Sequence, residues 1–70
     1  MSQIRYFVHQ QEAGWSVRRD SRSLGAYAAE ADAAAAAADH AAIDRARGHD
    51  VQMLKLGEDG RWAQFRPNRH

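Results

Sequence analysis

The chain has 70 residues and a formal net charge of +1, close to the lower size limit for a domain that folds on its own. It contains no cysteine, which excludes disulfide bonds and thiolate metal sites. No apolar run approaches the roughly 20 residues that span a bilayer, and the first residues lack the apolar core of a signal peptide. We therefore expect one small cytoplasmic domain over residues 1–70, with no membrane partner and a disordered tail from about residue 67.

The first third of the chain predicts a β-hairpin. Residues 4–9 and 15–19 read as strands, with Ile4, Tyr6 and Val8 on one face of the first and Phe7 on the other, and the short polar connection between them favours antiparallel pairing. Residues 24–27 are a candidate for a short third strand. Trp15, with Val17 on the same face, is predicted to be the main aromatic side chain of the core.

Residues 28–46 are almost all alanine, interrupted by acids, one His, one Ile and one Arg. This composition predicts one helix, and Gly48 is suited to the left-handed position that ends it. On a helical wheel, six alanines share one arc: Ala31, Ala34, Ala35, Ala38, Ala41 and Ala42. A packing face of methyl groups predicts close contact with a sheet, while the larger Ile43 falls among the polar residues.

After the helix, residues 50–56 and 61–66 read as two more strands, joined by an Asp-Gly turn at 59–60. The order hairpin, helix, hairpin predicts an α+β fold. We expect an antiparallel sheet of four to five strands, with the alanine-rich helix packed on one face.

Short motifs occur in a fixed order along the chain: Tyr6-Phe7-Val8, Gly14-Trp15-Ser16-Val17, Gly25-Ala26-Tyr27, the segment 48–54 and Asp59-Gly60-Arg61-Trp62. In this order and spacing the chain resembles the bacterial domain-of-unknown-function family numbered 2188 over essentially its whole length. The resemblance implies no particular activity and carries over no catalytic residues. Ala29 stands where the family usually has a hydroxyl residue, which predicts a frayed helix start. Ala34 replaces a larger aliphatic residue, which predicts closer helix–sheet contact.

The sequence offers no catalytic or metal-binding constellation. Its serines lack the context of a nucleophile, and its four histidines lack the spacing of metal ligands. Asp44 lies four residues after His40 and is a candidate partner for that side chain. We expect neither an enzyme nor a bound cofactor.

One helix covers only one face of a sheet, yet the strands carry apolar residues on both faces. Some of these side chains should remain on the uncovered face and mark an interface. The candidates are Phe7, Leu54, Leu56, Trp62 and Phe65. The first hypothesis is a protein-interaction or assembly module, most simply a homodimer formed through this face.

The second hypothesis is nucleic-acid binding, with strand arginines on phosphates and Phe7 or Trp62 stacked on bases. The candidate arginines are Arg5, Arg18, Arg61 and Arg66. This hypothesis requires basic and aromatic side chains to share one face. The near-neutral net charge weighs against it.

Overall fold

The computed structural model describes residues 3–65 and confirms the α+β fold: one helix packs on a five-stranded sheet. The elements are β1 Gln3–Gln11, β2 Gly14–Arg19, β3 Arg22–Tyr27, α1 Glu30–Ala46, β4 Asp50–Leu56 and β5 Trp62–Gln64. The tail expected from about residue 67 lies outside the described residues. Within 3–65 no helix is long and apolar enough to cross a membrane.

The sheet is mixed rather than purely antiparallel, which corrects one detail of the expectation. The strand order is β3-β2-β1-β4-β5, and β1 and β4 run parallel, with Tyr6 opposite Met53 and Phe7 opposite Leu54. The hairpin partner β2 takes one edge of β1, so the other edge is free. The helix crosses the sheet from β3 and returns the chain to that free edge, where the crossover makes pairing parallel.

The helix is rotated relative to the predicted arc. Its buried residues are Ala33, Ala37, Ala38, Ala41 and Asp44, whereas Ala31, Ala35 and Ala42 are exposed. Alanines lie on most sides of this helix, so the distribution of apolar residues does not determine which side faces the sheet. The buried carboxylate of Asp44 lies on the side that packs on the sheet. The predicted arc consists of alanines alone and therefore leaves Asp44 out. Ile43 is 53% exposed, as its position among polar residues predicted.

The two ends of the helix differ as the sequence predicted. At the start, Ala29 occupies the N-cap position and makes no side-chain hydrogen bond to the helix. At the end, Gly48 has φ +90°, and its N–H donates to the Arg45 carbonyl. The His49 N–H donates to the Asp44 carbonyl, which completes a Schellman motif.

The core lies between the helix and the central strands. Tyr6 is its largest fully buried side chain, whereas Trp15 is only partly buried and packs at the margin of the core. The prediction that Trp15 is the main core aromatic is therefore wrong. Tyr6 lies on the central strand β1, directly under the helix, while Trp15 lies near one end of β2.

Candidate functional site

The helix leaves one face of the sheet uncovered, and strand alternation decides which side chains lie there. Ile4, Tyr6 and Val8 of β1 are buried on the helix side, so Arg5, Phe7 and His9 lie on the other side. Their cross-strand partners share that side. These partners are Ser16 and Arg18 of β2, and Gln52 and Leu54 of β4. We call this surface the open face; Leu56 and its partner Trp62 extend it to β5.

Four side chains form a connected row across the open face. The Arg18 guanidinium carbon lies 4.8 Å from the centroid of the Phe7 ring, a cation–π contact. The Phe7 and Trp62 centroids are 5.2 Å apart, and those of His9 and Trp62 are 6.2 Å apart. Trp62 therefore reaches over β4 to touch residues of β1. We call Arg18, Phe7, Trp62 and His9 the aromatic row.

The open face carries more positive than negative charge, because Arg5 and Arg18 lie on it with one strand acid, Asp50. Among the five described strands, Asp50 at the start of β4 is the only acidic residue. Arg5 hydrogen-bonds through its side chain to two neutral groups, Gln52 Oε1 and Gln3 Oε1. Within residues 3–65 the ion pairs join Arg19 to Asp44 and Lys55 to Glu30, so Arg5 and Arg18 take part in neither.

The structure brings together most of the residues predicted for the interface. Phe7, Leu54, Leu56 and Trp62 all lie on the open face. Phe65 does not, because it follows Trp62 by an odd number of positions and packs against the core from the helix side.

Of the four arginines predicted to contact phosphates, the structure places two on the open face and one in a turn. Arg5 and Arg18 lie on the open face, where Arg18 is part of the aromatic row. Arg61 is exposed in the turn before β5, where its backbone N–H donates to Asp59 Oδ1. Arg66 lies outside the described residues.

On the helix side, a buried polar network links the helix to two strands. Asp44, 4% exposed, accepts a hydrogen bond from the Tyr6 hydroxyl. Arg19 donates to the same carboxylate from Nε at 3.0 Å and from Nη2 at 3.2 Å. This network takes the place of the predicted His40–Asp44 pair. One feature of the sequence indicates this network: Asp44 lies three residues after Ala41, so the two side chains share one face of the helix.

The network shifts the pKa values of Asp44 and Tyr6 in opposite directions. The Arg19 guanidinium, by its hydrogen bonds, holds the pKa of Asp44 below its usual value. Burial, followed by the hydrogen bond to Asp44, raises the pKa of Tyr6 to about 12. The fold therefore favours a charged carboxylate beside a neutral phenol.

The raised pKa of Tyr6 predicts a loss of stability at high pH. The folded pKa lies above the unfolded value of about 10, so the contribution of Tyr6 is complete below pH 10 and is lost as pH rises through about 12. We expect the urea midpoint of the wild type to fall across this interval more steeply than that of Tyr6→Phe. Equal slopes for the two proteins would show that Tyr6 titrates as it does in an unfolded chain.

Within residues 3–65, no group of three or more His, Asp or Glu side chains could hold a metal ion. Comparison of the chain with models of known protein families, with curated proteins and with solved structures finds no match. The open face itself is therefore the basis on which we infer a function.

Proposed function

We propose that this protein is a non-catalytic binding module that takes nucleic acid on the open face of its sheet. One observation carries the proposal: Arg5 and Arg18 share a face with Phe7 and Trp62. Proteins that bind nucleic acid on a sheet combine cations for the phosphates with rings for the bases. The cytoplasmic location expected from the sequence belongs to the same proposal.

The near-neutral net charge does not weigh against nucleic-acid binding, because the acidic and basic residues lie on different layers of the fold. Glu30, Asp32 and Asp39 lie on the helix, which is the layer on the other side of the sheet from the open face. The whole-chain value of +1 averages this acidic layer with basic strands. A polyanion approaching the open face meets the local positive charge rather than the average.

Self-association through the same face remains a prediction, supported by the partly exposed Leu54, Leu56 and Trp62. A two-fold dimer sets each patch opposite its own copy. Arg5 and Arg18 would then approach the same arginines of the second copy, and Asp50 at the start of β4 is the one acid of the described strands on that face to offset them. An anionic partner meets no such repulsion, and for this reason we favour nucleic acid.

The proposal predicts that binding depends on salt and on the arginines of the open face. The test is fluorescence anisotropy of a labelled oligonucleotide at several salt concentrations, with Arg5→Gln/Arg18→Gln against Arg45→Gln/Arg47→Gln. The second pair removes the same charge from the exposed end of the helix region. We expect the first variant to bind a single strand more weakly, with its salt slope reduced by about 0.7 for each phosphate that an arginine no longer neutralises. The second variant should resemble the wild type.

Two results would overturn the proposal. One is wild-type protein that shows no salt-dependent binding; the other is equal weakening in both double variants, which would indicate attraction by charge anywhere on the surface. Light scattering on the same samples tests self-association. A wild-type dimer that becomes monomeric in Trp62→Ser, without binding of the oligonucleotide, would assign the face to assembly instead.

A further inference from the structure

We infer that the nucleic acid bound by the open face is single stranded, and that Trp62, not Phe7, is the ring on which a base stacks. The inference rests on the proposed function and names the partner class of that same face. It follows from which aromatic surfaces of the row are already occupied.

Phe7 is half-buried, and Arg18 covers one face of its ring. The Arg18 guanidinium carbon lies 4.8 Å from the ring centroid, which is stacking distance for a cation over an aromatic face. Trp62 contacts the same ring at 5.2 Å with an interplanar angle of 77°. A base that stacks on this face of Phe7 would have to displace Arg18.

Trp62 is in the opposite situation. It is 43% exposed in a strand whose three residues are all exposed. Its two ring neighbours stand almost perpendicular to it, with interplanar angles of 77° for Phe7 and 80° for His9. Neither ring is therefore stacked in parallel on the indole. The edge contacts hold the indole in place while part of its surface stays available.

The row also places a cation next to this available ring. Arg18 and Trp62 both contact Phe7, so a guanidinium group and an exposed indole flank one side chain. A nucleotide has the matching pair of groups, a flat base and an adjacent phosphate. Bases within a duplex are paired and stacked on each other, so only an unpaired base can offer its face to a protein ring. This match favours single strands over duplexes.

The experiment compares a labelled single-stranded oligothymidylate with a labelled duplex of equal length, by anisotropy at one salt concentration. The proteins are wild type, Trp62→Ala, Trp62→Phe and Ile43→Ala. The last is the matched control, since Ile43 is a large apolar residue 53% exposed on the helix. Thermal melts confirm that each variant is folded.

We expect the wild type to bind the single strand more tightly than the duplex. Trp62→Ala should weaken single-strand binding by roughly 5- to 150-fold, the range measured for loss of one stacked base. Trp62→Phe should keep most of the affinity, and Ile43→Ala all of it. Equal binding of single strand and duplex, or unchanged affinity in Trp62→Ala, would overturn the inference, as would an equal loss in Trp62→Phe and Trp62→Ala.

The two proposals fail in different ways. If affinity falls in Arg5→Gln/Arg18→Gln but is unchanged in Trp62→Ala, the proposed function stands and the stacking inference is wrong. Absence of binding to either oligonucleotide would remove both.

Discussion

Asp44→Asn is expected to lower the free energy of unfolding by about 2–3 kcal/mol. The substitution keeps the shape of the side chain, but it removes the charge that pairs with Arg19 and can turn an amide N–H₂ toward that donor. Breaking a buried ion pair costs about 3–5 kcal/mol. We expect less here, because Arg19 is 34% exposed along its side chain and water screens its charge.

A loss of this size is large for this chain, because about 70 residues give a total stability of roughly 4–10 kcal/mol. Urea denaturation followed by circular dichroism measures it. The matched control is Asp32→Asn, which removes an exposed acid from the first turn of the same helix and should cost at most about 1 kcal/mol. Equal effects of the two substitutions would contradict the assigned role of Asp44.

The second large effect is expected where the helix approaches the sheet. Ala37 is fully buried in the seam between α1 and the strands, so Ala37→Leu adds volume where none is free. Overpacking of this kind costs about 1–3 kcal/mol. The variant should melt at a lower temperature than the wild type.

The matched control for this prediction is Ala35→Leu. Ala35 belongs to the predicted arc but is exposed, and Leu and Ala have similar helix propensities, so the change should lie within about 0.5 kcal/mol. If Ala37→Leu proved more stable than the wild type, the seam would contain unfilled space. If Ala35→Leu were the more damaging variant, the helix would be rotated toward the predicted arc.

Local features of the fold were predictable because they depend on neighbouring residues. The alanine run favours a helix in any context, and Gly48 supplies the left-handed residue that ends it. The rotation of that helix was not predictable from apolar spacing, because methyl groups occur on nearly every side. Asp44 decides the rotation through partners 25 and 38 residues earlier in the chain. The parallel pairing of β1 with β4 likewise depends on a long-range choice of edge.

The open face was predictable to a similar degree. Alternation along β1 and β4 correctly separates Phe7 and Leu54 from Tyr6 and Met53, since strand periodicity is a local property. It does not reveal that Trp62 crosses β4 to reach Phe7, because that contact depends on the sheet order. The position of Arg5 and Arg18 beside these rings, which favours an anionic partner, likewise depends on how the strands pair.

The most direct test of the central claim is an NMR titration of the isotope-labelled protein with a single-stranded oligonucleotide. Binding on the open face predicts shifts of the Trp62 indole N–H, the Arg18 side-chain N–H and the backbone amides of Phe7 and Leu54. The amides around Ile43, on the exposed side of the helix, should not move. Shifts confined to the helix, or no shifts at saturating oligonucleotide, would contradict the assignment of the open face as a nucleic-acid surface.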